Sequence, residues 1–182
     1  MFYKSKELTN NDIDGKDFED VIFENCKIVG EVKFASFLNC KFINCDLSQA
    51  MYNITSFVKC SFPDSKLSNL DFGDIRFSMC NFSNCLMENC IFKSKKKISL
   101  KNETFKNTNL SKSIFVFCDL EKQNFEGCDL ASVVFERCNL KETNFDGAKI
   151  DGVGFEDCRI DKTILDVSGF ISFGNSKGFV LH

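Results

Sequence analysis

A chain of 182 residues, 43% of them hydrophobic, is sized for one domain with a full core. Its formal net charge of −3 argues against a protein that binds nucleic acid by neutralising phosphates. The one histidine is the terminal His182, and there is no glycine-rich phosphate loop, H-E-x-x-H or paired Cys/His motif, so neither an enzyme nor a bound cofactor or metal is expected.

Residues 1–10 are polar apart from Phe2, Tyr3 and Leu8. They start no apolar run of the signal-peptide kind and are expected to cap the open end of the fold. Then a period of five begins with Ile13, Phe18, Phe23 and Ile28. One residue is lost near Val29-Gly30, where glycine absorbs an irregular turn. The same period resumes through Val32, Phe37, Phe42, Leu47, Tyr52, Phe57, Phe62, Leu67, Phe72, Phe77, Phe82, Met87 and Phe92. Five is the period of neither a helix nor a simple strand, so the chain reads as an internal repeat. In this stretch Phe34, Leu38, Ile54 and Val58 fall on outward positions, with Met79 nearby. They read either as cross-coil pairs on a sheet face or as a contact surface.

Between Phe92 and Leu100 three residues are inserted, within Lys93-Ser94-Lys95-Lys96-Lys97. The segment reads as a basic bulge, either simply solvated or used for recognition through Lys95, Lys96 and Lys97. A third frame then runs without a polar member: Leu100, Phe105, Leu110, Phe115, Leu120, Phe125, Leu130, Phe135, Leu140, Phe145, Ile150, Phe155, Ile160 and Leu165. The residue two places before each centre is mostly small or β-branched, and the residue just before it is often Asn or Asp, as in Cys118-Asp119-Leu120, Cys128-Asp129-Leu130 and Cys138-Asn139-Leu140. After Leu165 the period stops. Phe170 and Phe173 have helical spacing, Gly178 is placed to end that turn, and Phe179-Val180-Leu181 reads as a short strand. No stretch approaches the ~20 apolar residues of a membrane span.

This unit resembles the pentapeptide-repeat family, over about residues 11–167. The resemblance implies an all-β fold, a right-handed quadrilateral β-helix of roughly eight coils with a short helix/strand tail. The expected division is residues 1–167 as solenoid, including the cap at 1–10, and 168–182 as a capping or dimerisation tail. Residues 20 apart should then stack at about the inter-strand spacing of 4.8 Å. All eleven cysteines, among them Cys40, Cys60 and Cys80 and the series Cys118, Cys138 and Cys158, sit two residues before a centre, an inward position in this fold. They are expected to act as small hydrophobes, free of disulfides and metal, in a reducing cytoplasm. Glu126, Asp146 and Asp166 should form one outer acidic column, and Glu136 and Glu156 another on the opposite face. Like charges stacked so closely are unfavourable, so the columns read as solvated surface or as recognition.

The tail sharpens the resemblance. Leu165-Asp166, Phe170, Phe173, Gly178-Phe179 and Leu181 look like the tail of the quinolone-resistance, Qnr-like, topoisomerase-protecting group. That resemblance implies a homodimer joined end to end through Phe170, Ile171, Phe173, Phe179, Val180 and Leu181. It further implies a DNA-mimicking rod that binds DNA gyrase or topoisomerase IV and protects it from quinolones or toxins, with no nucleic-acid or membrane contact of its own. The alternative is a structural or protein-interaction solenoid with another partner, because fold alone does not decide function.

Overall fold

An apolar residue at every fifth position requires a backbone that turns a corner once per repeat. In the computed structural model, which describes every residue except Leu181, the corner is most often a left-handed residue two places after the centre. Asn25, Asn39, Asn44, Asn69, Asn84, Asn89 and Asn107 take this role with φ between 48° and 64°. Asparagine tolerates that region better than most residues, which accounts for its frequency here.

Short parallel strands lie between the corners and form four sheets, one per side of the coil. Phe2–Lys4, Ile22–Glu24 and Lys41–Ile43 form one. Asp17–Glu19, Ser36–Leu38, Thr55–Val58 and Ile75–Ser78 form the second. Ile91–Ser99, Ile114–Asp119, Val134–Glu136 and Gly154–Glu156 form the third. Glu7–Leu8, Lys27–Lys33 and Asp46–Asn53 form the fourth. Isolated parallel bridges such as Ser61↔Asn81 and Asn124↔Asn144 carry the ladders through the remaining coils. This is the expected four-sided solenoid.

Both frame changes appear as odd-sized coils. Asn39 hydrogen-bonds Asp20 nineteen residues back, whereas Asn89 reaches Asn69 twenty back. The ladder shifts register between Lys27 and Val29, beside Gly30 at φ 84°. At the lysine bulge the coil grows to twenty-three residues, as in the Cys90–Ser113 hydrogen bond, and the ladder shifts between Lys93 and Ile98.

The core is a set of ring stacks. Phe23 lies 4.7 Å above Phe42 at 3°, and Phe92 lies 4.5 Å from Phe115 at 3°, while rings on adjacent sides meet edge-on, as Phe23 and Phe37 do at 6.0 Å and 72°. Both geometries suit the ring quadrupole. The inward residue two places before a centre has a specific task. It donates to the carbonyl of a centre one coil back: Thr143 to Leu120 at 2.8 Å, Ser113 to Met87 at 3.0 Å, Cys138 to Phe115 at 3.3 Å. A small donor satisfies a backbone oxygen that the core would otherwise orphan. Ten of the cysteines are buried and Cys158 is partly so, and all eleven thiols are free. Burial pushes the thiols of Cys45, Cys85 and Cys90 up to about 12, so they stay protonated.

Both ends differ from expectation. Residues 1–8 do not lie across the first coil; Phe2–Lys4 and Glu7–Leu8 each add a rung to a ladder, with Tyr3 stacked 5.1 Å from Phe23. Helix α1, Asn10–Ile13, completes that coil, capped by Thr9 and Asp12. At the other end helix α2, Val167–Ser176, follows the last repeat. Phe179 and Val180 belong to no strand, contrary to the reading of 179–181, and Leu181 lies outside the described residues. Instead Gly178, at φ 84°, donates to Asn175 and Phe179 donates to Gly174, each at 3.0 Å, folding the chain back over the helix end.

Candidate partner-binding surfaces

The first acidic column is only partly free. Glu126 is paired with Lys106 at 3.0 Å, and this contact holds its carboxyl below the usual range. Asp146 is exposed and in no ion pair among the described residues. Asp166 is the N-cap of α2: one oxygen accepts from the Gly169 amide at 2.6 Å and the other from Gly147 at 3.3 Å. In the second column Glu136 is gripped by Arg137, Nη2 at 2.6 Å and Nε at 3.0 Å, while Glu156, its ladder partner, is exposed. Elsewhere on the surface opposite charges twenty residues apart pair across coils, Lys101 to Glu121 at 2.8 Å and Lys122 to Glu142 at 3.8 Å.

The lysine bulge divides in two. Lys97 reaches Asp119 at 3.2 Å, and Lys101 meets the same carboxylate at 3.2 Å. Burial pushes the Asp119 carboxyl up, but bonds from Asn139, Lys97 and Lys101 outweigh it and hold the group below its ordinary value. Lys93, Lys95 and Lys96 are exposed, and none is in an ion pair among the described residues.

The C-terminal surface is apolar. Phe173 packs edge-on against Phe155 at 5.6 Å, and Gly169 sits where a Cβ would come within 3.3 Å of Ile150, so α2 lies close to the last coil. It covers only part of that coil. Ile160, a repeat centre, is 55% exposed, whereas Phe145 and Ile150 are buried and Phe155 partly so. A cavity of about 250 Å³ remains between coil and helix, lined by Leu140, Phe145, Phe155 and Phe173. A second groove, about 390 Å³, runs beside Phe170, Ile171, Phe179 and Val180, all exposed. The residues expected to form a dimer interface are thus gathered on one surface, with Leu181 outside the described residues.

Sequence reasoning did not single out Glu103, the one acid at an inward position. Its two oxygens accept from the amides of Met79, at 3.2 Å, and Cys80, at 2.6 Å. Burial raises its carboxyl above the ordinary value. The signal was a charged residue in an apolar phase, directly after an insertion. Phe117 was also missed, although it stands two places after Phe115, in the same phase as Phe34 and Ile54. Among the described residues no group of three or more His, Cys, Asp and Glu could hold a metal, and no helix is long and apolar enough to cross a membrane.

Residues 89–165 match the family model described as a pentapeptide repeat region. No curated protein matches the sequence. Among solved structures, a trypsin-treated variant of QnrB1, a plasmid-mediated fluoroquinolone resistance protein, superposes with a TM-score of 0.71 at 16% identity, covering 100% of this chain and 98% of that one. Full-length QnrB1 gives 0.46 at 18% identity, covering 98% and 97%. HetL, a pentapeptide repeat protein involved in heterocyst differentiation regulation from the cyanobacterium Nostoc sp. strain PCC 7120, gives 0.43 at 14%, covering 91% and 89%. The first likeness is one of fold, and the other two are too loose to add to it. The chain thus carries a pentapeptide repeat region over residues 89–165, and four-sided coils of the same kind run on both sides of that stretch.

Proposed function

We propose that this protein is a non-enzymatic rod that occupies the DNA-binding surface of a type II topoisomerase, DNA gyrase or topoisomerase IV, and so protects it from quinolones or toxins. The observation that carries the reading is the likeness of fold along the full chain to a fluoroquinolone resistance protein, α2 included. Two further features support it. Asp146 and Glu156 hold exposed carboxylates for a basic channel, where complementary charge speeds association. The half-covered last coil offers an apolar patch to a second copy, and a symmetric contact there would join two rods of roughly 38 Å end to end. Ten of the eleven thiols are buried, and burial pushes those of Cys45, Cys85 and Cys90 up to about 12, which favours binding over chemistry. Free thiols in this number also suit the cytoplasm.

The test is plasmid supercoiling by purified gyrase, and decatenation by topoisomerase IV, inhibited with a fluoroquinolone. Added protein is expected to restore activity, and the Asp146→Lys, Glu156→Lys double variant to do so at least tenfold less well. No restoration at tenfold excess over either enzyme overturns the reading. A second reading, a protein-interaction scaffold with another partner, is favoured by the pairing of Glu126 with Lys106 and Glu136 with Arg137, which interrupts both negative columns.

A further inference from the structure

Left-handed residues mark the corners of the solenoid, and nearly all are Asn, Asp, Ser, Lys, Arg, Glu or Gly. Four carry bulky apolar side chains instead: Phe34, Ile54, Met79 and Phe117, at φ 55°, 51°, 56° and 56°. Ile54, β-branched, is an outlier on steric grounds alone. Burial could compensate such strain, yet Phe34 is 62% exposed, Ile54 66% and Phe117 45%. These side chains disfavour the fold both by conformation and by hydration, and they add little to its core. Backbone strain of this kind is concentrated at functional sites.

Three of the four lie along one edge of the rod. The pairing of Val32 with Tyr52 sets Phe34 beside Ile54. The pairing of Phe92 with Phe115 puts Phe117 on the same edge, level with the lysine insertion, which leaves the ladder between Lys93 and Ile98. From Phe34 to Phe117 is four rungs, roughly 19 Å at the inter-strand spacing. Lys93, Lys95 and Lys96 stand in this interval with no carboxylate paired to them among the described residues, and between Phe34 and Phe117 Asp74 is the one acid at that corner of the coil. Apolar side chains and unpaired cations therefore share one edge.

We propose that this edge is a docking site for an acidic segment of a partner protein, which sets bulky apolar side chains against Phe34, Ile54 and Phe117 and carboxylates against Lys93, Lys95 and Lys96. The span suits about six residues in extended conformation. The charge is opposite to that of the Asp146 and Glu156 columns, so this surface is distinct from the one assigned to a topoisomerase and does not depend on that assignment.

The probe is a fluorescein-labelled eight-residue peptide alternating glutamate with leucine and phenylalanine, followed by anisotropy against the full chain. Its lysine-for-glutamate counterpart, polyglutamate and a random-sequence DNA duplex serve as comparisons. The glutamate peptide is expected to bind and to lose at least tenfold in affinity both in Phe34→Asn, Ile54→Asn and in Lys95→Glu, Lys96→Glu. The Asn variant should at the same time unfold at higher urea, because it relieves two strained corners. Absence of binding to the wild type overturns the proposal, as does equal binding of the variants. Equal binding of polyglutamate or DNA would mean a merely ionic surface and overturns it too. Self-association lost in Phe34→Asn would make a second copy the occupant, again overturning it. A lowered urea midpoint for the Asn variant would assign the side chains to the fold instead.

Discussion

At Glu103 a carboxylate occupies a buried inward position that the adjoining coils fill with uncharged side chains, Cys80 and Gln123. The amides of Met79 and Cys80 meet the Glu103 oxygens, where at equivalent places Lys59 meets the Ser78 carbonyl and Cys90 the Ser113 hydroxyl. Glu103→Ala leaves the buried Cys80 amide and the partly buried Met79 amide without an acceptor, and an unsatisfied buried donor costs about 1–3 kcal/mol. The expected result is a urea midpoint lowered accordingly at pH 7. Because burial raises this carboxyl in the folded state, its titration adds stability as pH falls toward the ordinary value of 4.5, and that gain is lost as pH rises through the folded value. The gap between wild type and Glu103→Ala should widen on acidification. Asp119 has the opposite sign. Its folded carboxyl is depressed, so its contribution is present above the ordinary 3.8 and lost as pH falls through the folded value. Urea midpoints for Asp119→Asn should lie below wild type at pH 7 and converge with it in acid.

Among elements, the ring stack and the bulge respond differently to change. Phe135 is fully buried between Phe115 at 5.1 Å and Phe155 at 5.6 Å. Phe135→Ala should cost about 3–5 kcal/mol, by lost transfer energy and the cavity left behind. Lys96→Ala, on the bulge, should stay within about 0.5 kcal/mol. Equal midpoint shifts for the two would contradict the register. Much of this contrast was legible in advance, because a period of five carried without a polar member identifies every ring in the stack. That period already included Tyr3 and Leu8, which share the phase of Phe23 and Ile28, and following it back would have replaced the expected cap with ladder. Asp166 was not legible in the same way. Its phase makes it a surface acid, and only the path of α2, outside the repeat, turns it into a cap. Lys106 and Glu126 stand twenty apart and were open to inspection, but their pairing depends on rotamers that spacing does not specify.

For the whole molecule, the uncovered end is decisive. With Ile160, Phe170, Phe179 and Val180 exposed together, burial against a second copy would remove a contiguous apolar patch from water. Sedimentation at tens of micromolar should therefore give a dimer, and Phe173→Asp or removal of residues 168–182 a monomer or aggregate. A monomeric wild type would leave the tail as a partial lid and deprive the topoisomerase reading of its rod length.

The incomplete roof over the last coil has a consequence in time as well as in space. Because each coil touches chiefly its neighbours, opening can proceed rung by rung from an end without disturbing the middle. Amide hydrogens of Val153–Leu165 should exchange with deuterium far sooner than those around Phe105 and Phe125. If two copies meet at that end, the exchange of those same amides will slow as protein concentration rises, while the interior rungs remain indifferent to it.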